Sequence, residues 1–290
     1  MDLFETSILL IKKIYLKVLG PRVLDRFGQV DNSGVPIVFY RDRGPQRNPV
    51  NVCDFALIYY REVKDKGNKQ LFLNCANWLV DNLSDKGEFS VWEYKFPEPT
   101  YHLPAPWVSG MAQGLGIKVL ALAHKMTLQE KFMDAALRAL KAFLVPVEEK
   151  GVLCVDKKDG GWWYEEYASP TSIRSYVLNG HIFALEGVHS LYSYTKDSVA
   201  LKIFDKGCEE LKRHLHEYDT GSWTTYDRLG RFAGLGYHNV HIRQMHFLWR
   251  TTQDAFFLRY HNKWKSYLRK PFSRAHARIL YRVVSRILTQ

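Results

Sequence analysis

Three short segments of the 290-residue chain combine carboxylate, phenol and imidazole side chains with aromatic residues. They are residues 160–167, which read Gly-Gly-Trp-Trp-Tyr-Glu-Glu-Tyr, residues 218–227 and residues 236–244. Carboxylates and phenols can transfer protons, and aromatic rings offer the flat apolar faces on which sugar rings stack. The combination favours a carbohydrate site with proton-transfer chemistry over an aromatic loop that only covers a core.

Glu165 and Glu166 are adjacent, and adjacent side chains point apart in an extended backbone. They are therefore not the facing carboxyl pair of a glycosidase, whose members lie about 5 Å or more apart across the scissile bond. Asp219 or Asp227 could supply the second carboxylate, so glycoside hydrolysis stays an alternative.

His238 and His241 are spaced i, i+3, but no Glu or third His follows at a matching helical spacing. Without a third ligand we expect no metal there, and no motif calls for another cofactor. The four cysteines are isolated, with no CxxC, at Cys53, Cys75, Cys154 and Cys208. This pattern predicts neither a zinc site nor a disulfide framework, and it indicates a reducing, cytoplasmic compartment.

The composition is that of a globular protein, with 46% hydrophobic and 24% charged residues. The formal net charge of +11 indicates polyanionic partners such as acidic polysaccharides or anionic lipids. We expect no nucleic acid, because zinc-finger spacing, an RNP-like strand motif and a basic zipper are all missing from the sequence.

Helical periodicity recurs in four pairs of runs separated by Pro-, Gly- and aromatic-rich stretches. The runs are 49–68 with 69–83, 110–124 with 128–144, 176–194 with 199–216, and 238–249 with 253–268. The order predicts an all-α fold, an (α/α) toroid or incomplete barrel of about four helical hairpins. Inner helices would line a cavity, and the long connections would form its mouth. Residues 35–40 are the best candidate strand.

We divide the chain into an N-terminal helix and loop/short-strand segment (1–47), an (α/α) catalytic domain (48–268) and a basic amphipathic helix (269–290). The apolar run at 7–20 is interrupted by lysines and is too short to span a bilayer. In the C-terminal helix arginine recurs every fourth residue, at Arg274, Arg278, Arg282 and Arg286. Peripheral contact of these helices with an anionic membrane, beside a polymer synthase, is the alternative to packing on the domain.

Several motifs, in order, resemble those of the C-terminal catalytic domain of the D-glucuronyl C5-epimerases, which act on heparosan-type glycosaminoglycans. The motifs are Trp-Tyr-Glu-Glu-Tyr, Val-Leu-Asn-Gly, Tyr-Asp-Thr-Gly-Ser, Thr-x-Tyr-Asp, Tyr-His-x-x-His-Ile-x-Gln and Trp-Lys-Ser-Tyr-Leu. They stand here at residues 163–167, 177–180, 218–222, 224–227, 237–244 and 264–268, with Met-Ala-Gln-Gly at 111–114. The resemblance covers roughly residues 48–268.

The resemblance implies an isomerase that converts D-glucuronic acid to L-iduronic acid units of an acidic polysaccharide. It places the catalytic groups at Glu166, Tyr167, Tyr226 and Tyr237. Inversion at C5 removes a proton next to a carboxylate and returns one from the opposite face, so it needs two acid/base groups. We expect Glu166 or Tyr167 on one face of the sugar and Tyr226 or Tyr237 on the other.

The expected substrate-binding residues include the groups that would neutralise the substrate carboxylate. They are Asn179, Arg228, Arg231, His238, His241, Gln113 and Trp163. The family has one Arg after its Tyr-Asp motif, whereas Arg228 and Arg231 straddle that position here. Animal members also carry N-terminal β-rich domains, for which this chain has little room. Monomer and homodimer both stay open.

Three other functions compete with epimerisation. A uronate polysaccharide lyase begins with the same proton abstraction but expels the C4 substituent. An (α/α)-barrel glycosidase would depend on Asp219 or Asp227. A basic polysaccharide-binding protein would hold the polymer without exchanging its protons.

Overall fold

The computed structural model describes residues 29–62, 66–156 and 160–269, and its helices form four antiparallel hairpins. The helices are α1 (Pro49–Arg61), α2 (Lys66–Asp81), α3 (Gly110–Thr127), α4 (Glu130–Lys141), α5 (Leu178–Thr195), α6 (Ser198–His214), α7 (Leu235–Thr252) and α8 (Ala255–Tyr267). The all-α prediction of four hairpins is confirmed.

The first helix of each hairpin lies inside the ring and the second lies outside. α1, α3, α5 and α7 pack side by side in that order, and each also packs on its own partner, α2, α4, α6 or α8. α3 and α5 are buried along much of their length, as expected for helices enclosed by others. All four inner helices contribute to one central cavity, so the row curves into an incomplete ring.

Glycines allow α3 and α5 to approach closely. A side chain at Gly187 would collide with the backbone of Gly114, and one at Gly114 would collide with the backbone of Ala184. Because glycine has no Cβ, the two helix backbones can touch at this level. The contact sets the position of α5 beside the cavity.

The turns that follow α3, α5 and α7 are short and alike. The residue after α3, α5 and α7 is in each case left-handed, with φ of 56° at Leu128, 61° at Lys196 and 56° at Gln253. Each of these residues donates its N–H to the carbonyl four residues earlier. Asp197 and Asp254 then cap the outer helices α6 and α8. A left-handed turn residue thus closes each of these three hairpins.

The connections from each outer helix to the next inner helix are long, at residues 82–109, 142–177 and 215–234. All of them therefore end at the N-termini of inner helices, on one side of the ring. Short antiparallel strands stiffen the first two connections, in the pairs β4 (Ser84–Asp85) with β5 (Ser90–Val91), β6 (Glu93–Tyr94) with β7 (Trp107–Val108), and β8 (Leu153–Val155) with β9 (Trp162–Tyr164). The motif segments 160–167 and 218–227 lie in these connections.

A three-stranded antiparallel sheet precedes α1. It comprises β1 (Gln29–Val30), β2 (Pro36–Tyr40) and β3 (Gly44–Gln46). β2 matches the strand predicted at 35–40. Asn48 then caps α1 by accepting a hydrogen bond from the Val50 N–H at 2.9 Å.

Several helix boundaries differ from the prediction, and three of the differences have a visible cause or change an assignment. α5 begins at Leu178, because Tyr176 is left-handed (φ 52°) and donates its N–H to the Glu165 carboxylate. Residues 66–68, predicted to end a helix, begin α2. α7 starts at Leu235, three residues earlier than predicted, after Gly234.

The predicted helix at the N-terminus and nearly all of the basic segment 269–290 lie outside the described residues. Their peripheral membrane contact stays a prediction. No helix in the described part of the chain combines the length and apolar character needed to cross a bilayer. The four cysteines are buried as free thiols.

Candidate active site

A cavity of about 660 Å³ opens at the mouth of the ring. This volume is in the range of ligand-binding sites. Aromatic residues of the long connections form its upper wall, and inner helices form its sides. Its ionisable and amide groups include Asp54, Arg61, Glu98, Lys118, Glu166, Tyr167, Asn179, Glu186, Tyr237, Arg243 and Gln244.

Glu165 and Glu166 follow β9 and point to opposite sides, as predicted. The Glu165 carboxylate is buried and accepts hydrogen bonds from Ser175 Oγ (3.1 Å) and from the Tyr176 N–H (3.1 Å). It therefore ties the loop 165–176 together. Glu166 lines the cavity instead.

Glu166 has the electrostatic character of a proton-transfer group. Its carboxyl packs against Gly180 in the first turn of α5, where any side chain would displace it. Oε2 is buried and has no hydrogen-bond partner among the described residues. Burial raises the pKa of Glu166 to about 8, although a hydrogen bond with the Tyr167 side chain opposes the rise. A carboxyl that titrates near neutral pH suits general acid/base catalysis.

The structure brings the three predicted catalytic tyrosines close to Glu166. Tyr226 meets Tyr237 edge-on, with ring centroids 4.7 Å apart. Burial raises the pKa of Tyr167 and of Tyr226 well above 10, and the nearby Glu166 raises both further. These phenols are therefore protonated at neutral pH and are able to donate a proton. Tyr237 is 44% exposed at the mouth.

Sequence reasoning missed Tyr101, which supports Tyr167 from behind. The two rings stack at 4.3 Å. The Tyr101 hydroxyl donates to Asp227 Oδ2 at 2.9 Å, and Arg231 Nη1 donates to the same oxygen at 2.9 Å. The Arg231 guanidinium also lies 4.3 Å from the Tyr101 ring centroid. Tyr101 lies in none of the motifs. Its partners Tyr167 and Asp227 are 66 and 126 residues away in the sequence, so the sequence alone does not link them to it.

Asn179 and Gln244 are the amides of the cavity wall. Asn179, in the first turn of α5, is 2% exposed, and its Oδ1 has no hydrogen-bond partner among the described residues. Its backbone carbonyl accepts a hydrogen bond from Gln244 Nε2 at 2.9 Å. The predicted substrate-binding role of Asn179 is thus compatible with its place in the cavity.

The arginines expected to meet a substrate carboxylate are engaged outside the cavity lining. Arg228 pairs with Glu217 at 2.6 Å and lies over the Tyr176 ring. Arg231 is held by Asp227, which is fully buried. Both guanidiniums therefore brace the loop 215–234 instead of facing the cavity.

His238 and His241 are buried beneath the mouth. Their Nδ1 atoms lie 2.8 Å and 3.0 Å from the same hydroxyl, Thr224 Oγ1. Burial lowers the pKa of His238 to about 4 and that of His241 to about 3. Both imidazoles are therefore neutral at physiological pH, and neither lines the cavity. This geometry does not support their expected contact with a substrate carboxylate.

Gln113 and Trp163 are also placed in the core. The Gln113 side chain accepts from the Trp92 N–H and donates to the Ser90 and Ala139 carbonyls. Trp163 stacks on His181 at 3.9 Å. Their substrate contacts are not supported by this geometry, because both side chains are at most 1% exposed and lie outside the cavity lining.

One group of side chains has the composition of a metal site. Asp156, Glu210 and His214 bring ligand atoms within 4.8 Å of one another, away from the cavity. Arg213 lies 3.3 Å from the buried Glu210 carboxylate and supplies a counter-charge. An ion-pair network thus accounts for the group.

Comparison with solved structures supports the ring of hairpins. The cellobiose 2-epimerase of Spirochaeta thermophila superposes with a TM-score of 0.56 at 11% identity, over 93% of this chain and 72% of that chain. The GH76 alpha-mannanase of Bacteroides thetaiotaomicron gives 0.54 at 13% identity, over 87% of this chain and 67% of that chain. At these identities the likeness shows the fold alone.

Two relatives are similar in sequence. An uncharacterised protein of Methanocaldococcus jannaschii is 32% identical over 260 residues, which cover 81% of this chain and 84% of that protein. The D-glucuronyl C5-epimerase of Caenorhabditis elegans is 35% identical over 216 residues. That match covers 68% of this chain but only 34% of the nematode enzyme.

The family model of the D-glucuronyl C5-epimerase C-terminus matches residues 85–266, well over half of the chain. The matched range contains Glu166 and all of the motif segments except the last two residues of 264–268, whereas α1, which also lines the cavity, lies outside it. The chain therefore belongs to the D-glucuronyl C5-epimerase C-terminal family, and through it to the carbohydrate epimerases.

Proposed function

We propose that the protein epimerises D-glucuronic acid to L-iduronic acid units in an acidic polysaccharide. The observation that carries the proposal is the cavity-facing Glu166, whose pKa of about 8 lies near neutrality, surrounded by protonated phenols. Family membership supports the reaction class, and the net charge of +11 supports an anionic substrate.

In the proposed mechanism, ionised Glu166 removes the C5 proton of a glucuronate unit. The electron pair of the C–H bond passes into the carboxylate, which becomes an enediolate dianion. The phenol of Tyr237 then delivers a proton to C5 from the opposite face, and the electrons return to form the new C–H bond. Glu166 is left protonated and the tyrosine is left ionised, and solvent restores both groups. Tyr226, the alternative donor, contacts the Tyr237 ring but lies outside the cavity lining.

The pKa values favour Glu166 over Tyr167 as the base. The pKa of Tyr167 lies well above 10, so its phenolate is rare at neutral pH. Tyr167 instead hydrogen-bonds the Glu166 carboxyl and lowers its pKa. Asn179 lines the cavity, and we expect its side-chain NH2 to donate to the substrate carboxylate, where charge accumulates during the reaction.

The glycosidase alternative loses support at the two carboxylates on which it depends. Asp219 accepts hydrogen bonds from Trp264 Nε1 and the Tyr267 hydroxyl, and it pairs with Lys263. Asp227 is held by Tyr101 and Arg231. Neither aspartate lines the cavity.

The test is incubation of a glucuronan with the protein in ordinary buffer, followed by NMR of the polymer. We expect iduronate signals to appear with no change in polymer length. Growing ultraviolet absorbance from unsaturated uronate would instead identify a lyase, and new reducing ends would identify a glycosidase. A polymer that binds but stays unchanged would identify a binding protein.

A further inference from the structure

A single threonine hydroxyl lies between the two buried histidines of α7. Thr224 Oγ1 is 2.8 Å from His238 Nδ1 and 3.0 Å from His241 Nδ1, and all three side chains are fully buried. The other ring nitrogen of His238, Nε2, lies 3.2 Å from the backbone carbonyl of Trp264 in α8. The four residues thus form one hydrogen-bonded chain that runs from the connection 215–234 through α7 to α8.

The proton positions along this chain follow from the carbonyl at its end. Burial keeps both imidazoles neutral at physiological pH, so each ring carries one N–H. Because a carbonyl only accepts, the N–H of His238 is at Nε2 and its Nδ1 is an acceptor. The Thr224 hydroxyl donates its single proton to that Nδ1. The Thr224 oxygen must then accept from His241, whose N–H is therefore at Nδ1.

The second nitrogen of His241 agrees with this direction. His241 Nε2 is buried and has no hydrogen-bond partner among the described residues. In the assigned direction Nε2 carries no proton, and a buried acceptor without a partner is less rare in proteins than a buried N–H without one. The opposite tautomer of His241 would place an N–H at Nε2. It would also leave Nδ1 facing the Thr224 oxygen with no proton between them.

The chain joins the two segments that carry Tyr226 and Tyr237. Thr224 lies two residues before Tyr226 in the connection, and His238 directly follows Tyr237 in α7. The Trp223 ring stacks on the His238 ring at 3.8 Å, so His238 is held at its face as well as at its nitrogens. The two tyrosine rings meet edge-on. A shift at Thr224 is therefore transmitted to the contact between the phenols.

We propose that Thr224 is a positioning residue, which holds His238 and His241 in opposite neutral tautomers and thereby fixes Tyr226 against Tyr237. Thr224 does not line the cavity, so it acts on the reaction only through the tyrosines. The fixed contact keeps the Tyr237 phenol at the place from which it donates its proton. This inference rests on the proposed function for the reaction that Tyr237 serves, whereas the two tautomers do not depend on it.

The tautomers are tested by long-range ¹H–¹⁵N correlation NMR of the wild-type protein labelled with ¹⁵N-histidine. The signals of each ring are assigned by their loss in His238→Gln or in His241→Asn. We expect the ring N–H at Nε2 in His238 and at Nδ1 in His241. The same tautomer in both residues, or exchange between tautomers in either, would overturn the inference.

The positioning role is tested by the kinetics of Thr224→Val, which keeps a branched side chain and removes the hydroxyl. We expect kcat to fall about 10–100-fold with KM within about twofold, because a small displacement of a reacting group slows the chemical step. Thr224→Ser retains a hydroxyl and should restore most of the lost kcat. Thr225→Val is the matched control and should leave kcat unchanged, since Thr225 Oγ1 is buried without a hydrogen-bond partner among the described residues.

An equal loss of kcat in Thr225→Val, no rescue by Thr224→Ser, or an unchanged kcat in Thr224→Val would overturn the positioning role. If Thr224→Val does not fold, His241→Leu replaces it, because it removes one of the same hydrogen bonds from the other side. Absence of iduronate formation by the wild-type protein would reject the proposed function and with it the role in positioning Tyr237. The NMR spectra would still decide the tautomers in that case.

Discussion

The carboxyl of Glu166 is kept neutral by its surroundings in the resting protein. Burial disfavours the charged form, and Oε2 has no partner among the described residues that would stabilise a negative charge. Ionisation of Glu166 therefore lowers the stability of the folded protein. Such a loss of stability is common at residues that are kept for reactivity.

Glu166→Gln should make the folded state more stable at alkaline pH. The pKa of Glu166 is about 8 in the folded protein against 4.5 when exposed, so its contribution is fully present below pH 4.5 and is lost as pH rises through 8. We expect the variant and wild type to unfold alike at pH 4.5 and to diverge by about 3–5 kcal/mol at pH 9. Urea denaturation at both pH values measures the difference, and a constant difference would contradict the pKa assignment.

Tyr101→Phe should slow the reaction without weakening substrate binding. The ring stacking on Tyr167 survives, but the hydrogen bond to Asp227 is lost, so Tyr167 is held less firmly. We expect kcat to fall about tenfold with KM within twofold, and the free energy of unfolding to fall by about 1–2 kcal/mol. Tyr194→Phe, which removes a hydrogen bond to His124 elsewhere, is the control. A similar loss of kcat in the control would argue against a positioning role for Tyr101.

At the scale of elements, sequence periodicity predicted the hairpins because it records which helix face is buried. It did not predict where α5 begins, because the Glu165 carboxylate holds the Tyr176 N–H in a loop. The motifs singled out residues around the cavity but could not distinguish those that face it from those behind it. His238 and His241 in α7 illustrate this, since their partner Thr224 lies in the connection that precedes the helix.

Gly187→Ala should destabilise the pairing of α3 with α5. A methyl group there would collide with the Gly114 backbone, which cannot move as a side chain can. We expect a loss of about 1–3 kcal/mol. Gly236→Ala in α7 is the control, because nothing lies within 4 Å of its added methyl group. The melting temperatures of the two variants test this expectation. Equal melting temperatures would show that α3 and α5 can separate at little cost in free energy.

At the scale of the whole molecule, the incomplete ring gathers four helix N-termini and three long connections around one mouth. Both acidic and basic side chains line the cavity, while the chain as a whole carries +11. Long-range attraction would draw an anionic polymer to the surface, and the cavity would then choose the unit that reacts.

Raising the salt concentration should therefore weaken polymer binding. Between 50 mM and 500 mM NaCl the Debye length falls from roughly 14 Å to roughly 4 Å, which screens exposed charges. We expect the affinity for a glucuronan to fall at least tenfold, measured by calorimetry with the Glu166→Gln variant. A neutral glucan of equal length is the control. Binding that does not change with salt would contradict an electrostatic contribution from the basic surface.

If Glu166 transfers the C5 proton of a uronate, as proposed, exchange of that proton with solvent depends on its carboxyl. The measurement is incorporation of deuterium at C5 of a glucuronan in deuterated water, followed by NMR for wild type, Glu166→Gln and the exposed-surface control Glu149→Gln. We predict exchange in wild type and in Glu149→Gln, and a loss of about 10²–10⁴-fold in Glu166→Gln. Undiminished exchange in a folded Glu166→Gln protein would contradict the account.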